Sequence, residues 1–104
     1  MTQQSITVAE LDQLRAQGAN VVVFDVRSPD EFAKGHVDGA VNVPAENILA
    51  VVDDIDGPHV RVVTVCVHGG HRSQGAAKTL AAAGVNAAYL EGGTVAWRTA
   101  HGRS

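Results

Sequence analysis

The residues best suited to chemistry lie in one short segment around Cys66, the only cysteine of the chain. Cys66 is followed by the glycine pair Gly69 and Gly70 and by Arg72, and the segment reads Cys-Val-His-Gly-Gly-His-Arg-Ser. Two glycines allow the backbone to curl until successive N–H groups point inward, which creates a nest for an anion. A helix that begins after the segment would add free N–H groups and the positive end of its dipole. We therefore predict a nucleophilic thiolate at Cys66, held above an anion-binding loop.

The residues expected to bind the anionic substrate are Val67, His68, Gly69, Gly70, His71, Arg72 and Ser73. Arg72 is expected to contact the anion from across the loop, and Ser73 to cap the following helix. Because one helix terminus contributes only about 0.3 to 1 kcal/mol, the nest and Arg72 would have to supply most of any large stabilisation of the thiolate. Of the two histidines, His71 is the better candidate for an anion contact, and solvated loop side chains are the alternative for both.

The same residue types allow two other interpretations. A free cysteine is often a small buried residue, so Cys66 could simply pack at the end of a strand. The spacing Cys-x-His-x-x-His contains zinc-ligand types, but an inward-pointing N–H nest repels a cation, and the sequence has no second ligand cluster nearby. We therefore expect no metal ion and no other cofactor.

The elements that must position this loop alternate between helix and strand. Thr7 and Glu10 form a capping-box pattern ahead of a helix that Gly18 ends, and Ser28 with Pro29 begins a short second helix. The predicted strands cover residues 21–24, 40–43, 60–67 and 87–90. One further helix carries Ile48, Val51, Val52 and Ile55 and is closed by Gly57-Pro58. The next helix carries Ala76, Ala77, Leu80 and Ala83 and ends at Gly84, and a last helix carries Val95 and Trp97.

Apolar strands that alternate with helices predict an α/β fold, with a mostly parallel sheet and helices on both faces. Residues 60–67 would form its central strand. Ligands of such sheets bind beyond the carboxyl ends of the strands, where Cys66 lies. Asp25 and Arg27 end another strand at that edge, so we expect them to support the site, with an Arg27–Glu31 ion pair fixing their turn. The structural roles expected elsewhere are a hydrogen bond for His36, a tight turn for Gly92-Gly93 and core packing for Trp97.

Length and composition predict one soluble domain. The 104 residues are 45% apolar and 18% charged, with a formal net charge of −3, and we expect an ordered core over about residues 5–98 and a loose tail over residues 99–104. The scattered basic residues offer no stripe for a nucleic-acid backbone. One cysteine excludes an internal disulfide and suits a reducing compartment. Since no apolar run reaches about 18 residues and no signal-peptide pattern opens the chain, we expect a cytoplasmic protein that does not bind a membrane.

Several segments, in order and over most of the chain, closely resemble a single-domain rhodanese. They are Asp25-Val26-Arg27, Glu31-Phe32, the run from Gly35 to Pro44, the loop from Cys66 to Ser73 with Ala76-Ala77, and Leu90-Glu91-Gly92-Gly93 with Ala96-Trp97. The resemblance implies the rhodanese fold with a five-stranded parallel sheet and a persulfide carried on Cys66. It also implies thiosulfate or a similar small anionic sulfur donor, with cyanide or a thiol as acceptor. Glutathione, thioredoxin or a protein of a sulfur-relay pathway would each suit the acceptor role.

The length of the loop departs from this family. Rhodanese sulfurtransferases usually carry arginine five positions after the cysteine, whereas Arg72 lies six positions after Cys66. A Cys-x5-Arg loop resembles instead the phosphatases and arsenate reductases of the rhodanese fold, whose loop has an acidic residue where this chain has His71. Sulfur transfer is therefore the predicted function. The alternatives are phosphate or arsenate chemistry and a non-catalytic sulfur-carrier or binding module.

Overall fold

A five-stranded parallel sheet forms the centre of the computed structural model, which describes residues 4–55 and 59–102. Its strands are β1 (Ser5–Ile6), β2 (Val21–Asp25), β3 (Val41–Asn42), β4 (Arg61–Val65) and β5 (Asn86–Leu90). The helices are α1 (Val8–Ala16), α2 (Pro29–Ala33), a 3₁₀ helix (Ala45–Asp54), α3 (His71–Ala82) and α4 (Gly93–Ala100). The strand order is β1-β5-β4-β2-β3, and every neighbouring pair is parallel. The predicted α/β fold with a parallel sheet is thus confirmed.

Each face of the sheet is covered by its own apolar cluster. The cluster beneath α3 and the 3₁₀ helix includes Phe24, Ile48, Val62, Ala77 and Leu80. The cluster beneath α1 and α4 includes Leu11, Val23, Val63, Leu90 and Trp97. Helices therefore lie on both faces, as predicted.

Strand β4 is the central strand, and both its faces are buried. Val62 packs into one cluster and Val63 into the other, because successive side chains of a strand point to opposite faces. In the pairing of β2 with β4, Asp25 lies opposite Val65, the residue just before Cys66. This register brings the turn after β2 and the loop after β4 to the same edge of the sheet.

The predicted capping box at Thr7 is present, and the predicted Ser28 cap proves to be a second capping box. The Thr7 side chain accepts a hydrogen bond from the Glu10 backbone at the start of α1, and the Glu10 carboxylate accepts one from the Thr7 backbone. Ser28 and Glu31 make the same reciprocal pair at the start of α2, with Pro29 as its first residue. These short-range patterns fix where the helices begin.

The segment with Ile48 and Ile55 differs from its prediction, because it is a 3₁₀ helix rather than an α-helix. The predicted α-helix rests on apolar residues at i, i+3, i+4 and i+7. A spacing of three residues occurs twice in that pattern and also suits a 3₁₀ helix, so the pattern alone does not exclude one. Ile48 still packs into the core, whereas Leu49 is exposed. The predicted stop at Gly57-Pro58 lies outside the described residues.

Two further details depart from the sequence prediction. Strand β1 is absent from the sequence prediction, because two residues are too short to show a strand pattern and its pairing with β5 alone defines it. The sequence predicts a loose tail over residues 99–104, but α4 continues to Ala100, and His101 Nε2 lies 3.2 Å from Asp12 Oδ1. Residues 103–104 of that prediction lie outside the described residues. Over residues 4–55 and 59–102, no helix is long and apolar enough to cross a membrane.

Candidate active site

The sulfur atom of Cys66 lies in the predicted loop, between the end of β4 and the start of α3. The residue is 3% exposed. Its Sγ accepts a hydrogen bond from the Gly70 N–H at 3.1 Å and lies 3.0 Å from the Ser73 hydroxyl. The cysteine therefore faces hydrogen-bond donors from both the loop and the first turn of α3.

Gly69 is required by the path of the loop. Its φ of +77° falls in the left-handed region that side chains disfavour. A Cβ placed there would lie 2.9 Å from the carbonyl oxygen of Leu90 and 3.0 Å from the nitrogen of Gly92. Only a glycine lets the loop curl this close to the end of β5.

The start of α4 anchors the first two loop residues. The Thr94 N–H and hydroxyl donate to the Cys66 carbonyl oxygen at 2.9 and 3.1 Å, and the Val95 N–H donates to the Val67 carbonyl oxygen at 3.1 Å. Gly93 permits this approach, because a Cβ there would lie 2.5 Å from both carbonyl oxygens. The tight turn predicted at Gly92-Gly93 is present, and its role is to dock α4 against the cysteine loop.

Ser73 does not cap α3 as predicted. The helix begins at His71 with Gly70 as its N-cap and no side-chain cap. The Ser73 side chain points inward instead, where its hydroxyl lies 3.0 Å from the Cys66 sulfur and 3.2 Å from the Gly70 carbonyl oxygen. Its one proton can be donated to either acceptor, and the Cys66 sulfur becomes the stronger acceptor when the thiol ionises. Thr64 holds the residue in place by donating to the Ser73 carbonyl oxygen at 2.7 Å. Ser73 lies one turn too late to cap, and this position brings its hydroxyl to the sulfur.

The pKa of the Cys66 thiol is set by opposing effects. Burial raises this pKa, but hydrogen bonds from the Ser73 hydroxyl and from the backbone of Ser73, Gly70 and Gly69 outweigh burial and hold the pKa below its usual value. A lowered pKa increases the thiolate fraction near neutral pH, and the thiolate is the nucleophilic form of cysteine.

Arg72 does not reach across the loop. Its two terminal nitrogens donate to the two carboxylate oxygens of Glu31, at 2.7 and 3.1 Å, in an exposed ion pair. The predicted Arg27–Glu31 pair is therefore wrong. Sequence proximity suggested that pair, whereas α3 brings Arg72 to Glu31 from 41 residues away.

Asp25 and Arg27 form a buried ion pair at the neighbouring strand end. Arg27 Nη2 lies 2.7 Å from Asp25 Oδ2, Nε lies 2.8 Å from Oδ1, and Nη2 also donates to the Gly35 carbonyl oxygen at 2.8 Å. The Asn42 amide donates to the carbonyl oxygens of both residues. The pair braces the turn after β2 and lies beneath the surface rather than at it.

The histidines differ in their surroundings. His68 and His71 are both exposed at the loop. His36 forms a hydrogen bond with the Phe32 carbonyl oxygen at 2.9 Å, and its ring stacks on the Phe32 ring at 3.7 Å, in keeping with a structural role. In the part of the chain that the structure describes, no group of three or more His, Cys, Asp or Glu side chains could hold a metal ion.

Three contributors to the site had little or no signal in the sequence. Thr94 reaches Cys66 across 28 residues, and Glu31 reaches Arg72 across 41. The Gln74 amide donates to the Gly69 carbonyl oxygen at 2.8 Å and steadies the glycine pair. Of these, only Gln74 lies close enough to the loop for its spacing to have suggested a contact.

Comparison with known proteins places the chain in context. The sequence model of the Rhodanese-like domain matches residues 7–100. The thiosulfate sulfurtransferase GlpE of Pseudomonas aeruginosa is 36% identical over 103 residues, which cover 96% of this chain and 88% of that protein. GlpE of Pseudomonas fluorescens strain SBW25 is 41% identical over 91 residues, which cover 85% of this chain and 78% of that protein.

Solved structures extend the similarity to the fold. A thiosulfate sulfurtransferase from Pseudomonas aeruginosa superposes with a TM-score of 0.85 at 30% identity, over 98% of this chain and 20% of that chain. A Rhodopseudomonas palustris protein described as a possible tyrosine phosphatase superposes with a TM-score of 0.80 at 28% identity, over 95% of this chain and 82% of that one. The same fold is thus found in proteins with two different descriptions.

Proposed function

Since the chain belongs to the family of rhodanese-like domains, we propose that it is a sulfurtransferase that moves a sulfane sulfur through Cys66. The donor is thiosulfate or a similar small anion, and the acceptor is cyanide or a thiol. The observation that carries the proposal is the buried Cys66 sulfur, which faces the Gly70 N–H and the Ser73 hydroxyl. Relatives named thiosulfate sulfurtransferase, at 36 and 41% identity, support the same activity.

In the first half-reaction, the Cys66 thiolate attacks the outer sulfur of thiosulfate. A new S–S bond forms on Cys66, the S–S bond of thiosulfate breaks, and sulfite leaves with the bonding electron pair. The charges balance, because a thiolate and a dianion give a persulfide anion and a dianion. No proton moves in this step, so the loop needs hydrogen-bond donors rather than a general base.

The nest of N–H groups serves the persulfide after it forms. The terminal sulfur is anionic, so it is stabilised by the same kind of donors that lower the pKa of the Cys66 thiol. In the second half-reaction, cyanide or a thiolate attacks that terminal sulfur, and the Cys66 thiolate leaves. Described residues contain no second cysteine, so the acceptor is an external nucleophile.

Intact mass spectrometry tests the proposal directly. The reduced protein is treated with thiosulfate, and we expect a gain of one sulfur atom, about 32 Da, that cyanide removes as thiocyanate. The Cys66→Ser variant should gain nothing, since it has no thiolate. An adduct on the variant, or no adduct and no thiocyanate from the wild-type protein, would refute sulfur transfer at Cys66.

The length of the loop supports phosphate or arsenate chemistry as a second candidate. A Cys-x5-Arg loop provides room for a tetrahedral oxyanion, but that chemistry also needs the arginine to grip the anion. Both terminal nitrogens of Arg72 instead bind Glu31, which favours sulfur transfer. Hydrolysis of p-nitrophenyl phosphate by the same preparation, lost in Cys66→Ser, would support the second candidate instead.

A further inference from the structure

The ion pair between Arg72 and Glu31 places a carboxylate beside the one arginine of the cysteine loop. Both oxygens of Glu31 accept from Arg72, in the bidentate geometry that is strongest for this kind of pair. Arg72 directly precedes Ser73, whose hydroxyl lies 3.0 Å from the Cys66 sulfur, and the negative charges of Glu31 and Cys66 both raise the pKa of Arg72. The loop therefore has a cation near its anion site, and that cation already has a counter-ion.

Glu31 is held in this position by α2. Its Oε1 also accepts hydrogen bonds from the Ser28 N–H and the Ser28 hydroxyl, each at 3.1 Å. Hydrogen bonds from Arg72 and Ser28 lower the pKa of Glu31 to about 2. The carboxylate is thus ionised and oriented at any pH at which the enzyme would work.

We propose that Glu31 is a specificity-determining residue, which weakens the affinity of the cysteine loop for divalent anions by holding Arg72 in this ion pair. The inference rests on the proposed sulfur transfer at the same loop. An incoming dianion meets the repulsion of the carboxylate together with the attraction of the guanidinium. Because Coulomb energy scales with the charge of the ligand, this pairing disfavours a dianionic donor more than a monoanionic one.

A matched pair of donors separates this effect from general damage to the site. Thiosulfate is a dianion, and methanethiosulfonate is a monoanion that presents the same outer sulfur and releases methanesulfinate. In Glu31→Gln we expect KM for thiosulfate to fall on the order of tenfold and KM for methanethiosulfonate by about threefold, with kcat nearly unchanged. The KM of the variant for thiosulfate should also rise more steeply with salt than that of the wild-type protein.

The three variants separate the charge of residue 31 from the fold of α2 and from the total charge of the turn. Glutamine can replace glutamate in a capping box, so Glu31→Gln keeps the start of α2. Asp30→Asn removes one negative charge from the same exposed turn and should leave both KM values within about twofold of the wild type. Glu31→Asp retains the charge and should keep KM for thiosulfate close to the wild-type value, and circular dichroism verifies that each variant is folded.

The inference fails if Glu31→Gln raises KM for thiosulfate or leaves it unchanged. It fails equally if the substitution lowers KM for thiosulfate and for methanethiosulfonate by the same factor. It also fails if Asp30→Asn gives the same effect. Thiosulfate binding to Cys66→Ser, with and without Glu31→Gln, is measured by calorimetry and requires no turnover. If Glu31→Gln tightens thiosulfate binding but the wild-type protein transfers no sulfur, only the proposed function is refuted. If the wild-type protein transfers sulfur but Glu31→Gln leaves the affinity for thiosulfate unchanged, only the role of Glu31 is refuted.

Discussion

Replacing Ser73 with alanine tests whether the hydroxyl beside the sulfur controls the ionisation of Cys66. The Ser73 hydroxyl lies 3.0 Å from Sγ at a fully buried position, so water does not replace it easily. A hydrogen bond to a charged group contributes about 1.5 to 3 kcal/mol, and about 1.4 kcal/mol corresponds to one pKa unit. Ser73→Ala should therefore raise the pKa of the Cys66 thiol, because it removes one of the hydrogen bonds that stabilise the thiolate.

The assay is the rate of alkylation by iodoacetamide as a function of pH, since only the thiolate reacts. Below the pKa of the thiol, each loss of about 1.4 kcal/mol from the stabilisation of the thiolate reduces its population about tenfold. Alkylation and sulfur transfer by Ser73→Ala should therefore both fall about 10- to 100-fold at low pH. The activity should recover as the pH rises through the new pKa. Ser5→Ala is the matched control, because its hydroxyl binds Glu91 on the surface and not the loop.

The same substitution has an expected effect on stability. The pKa of the Cys66 thiol is lower in the folded protein than in the unfolded chain, so ionisation of the thiol stabilises the fold. This stabilisation is complete above the pKa of the unfolded thiol, and it is lost as the pH falls through the pKa of the folded one. Wild-type stability should rise with pH over that interval, and the rise should be smaller in Ser73→Ala. A pKa that stays at the wild-type value in Ser73→Ala would show that the backbone N–H groups suffice and would refute the role of the hydroxyl.

Two substitutions test the supports of the loop through urea denaturation. Gly93→Ala should destabilise the protein by at least about 2 kcal/mol, because its Cβ would overlap carbonyl oxygens of the loop. Gly75→Ala in α3 has open space around its Cβ and should instead stabilise the protein by about 0.5 to 1 kcal/mol. Equal effects of the two substitutions would contradict the steric argument. Asp25→Ala should lower the free energy of unfolding by about 3 to 5 kcal/mol, since it leaves Arg27 buried without its carboxylate partner. A decrease below about 1 kcal/mol would show that water or another group takes the place of the carboxylate.

The sequence predicted the features that depend on neighbouring residues. Capping patterns at Thr7 and Ser28 predicted where α1 and α2 begin, because the atoms involved lie within three residues of each other. The β-branched run around β4 predicted the central strand, since burial on both faces leaves a continuous apolar segment. The position of Cys66 at the carboxyl edge followed from these two kinds of local signal.

Contacts between distant elements leave no such local pattern in the sequence. The four-residue spacing predicts a pair between Arg27 and Glu31, yet the carboxylate of Asp25 binds Arg27 inside the turn. That arrangement leaves Glu31 for Arg72, and nothing in the local sequence indicates this exchange of partners. Which carboxylate meets which arginine depends on how α2 and α3 meet at the edge of the sheet, and only the packed structure determines it.

The direction of Arg72 explains why the length of the loop is a poor guide to its chemistry. Successive residues of an α-helix are separated by about 100° around its axis, and α3 turns the buried Ser73 toward the sulfur. Its neighbour Arg72 must then point away from that direction, and it does so, toward Glu31 on the surface. An added loop residue would favour oxyanion chemistry only if it also aimed the arginine into the nest. Here the sulfur keeps its hydroxyl and N–H donors while Arg72 is paired with Glu31, an arrangement that favours the proposed persulfide over a phosphate gripped by the arginine.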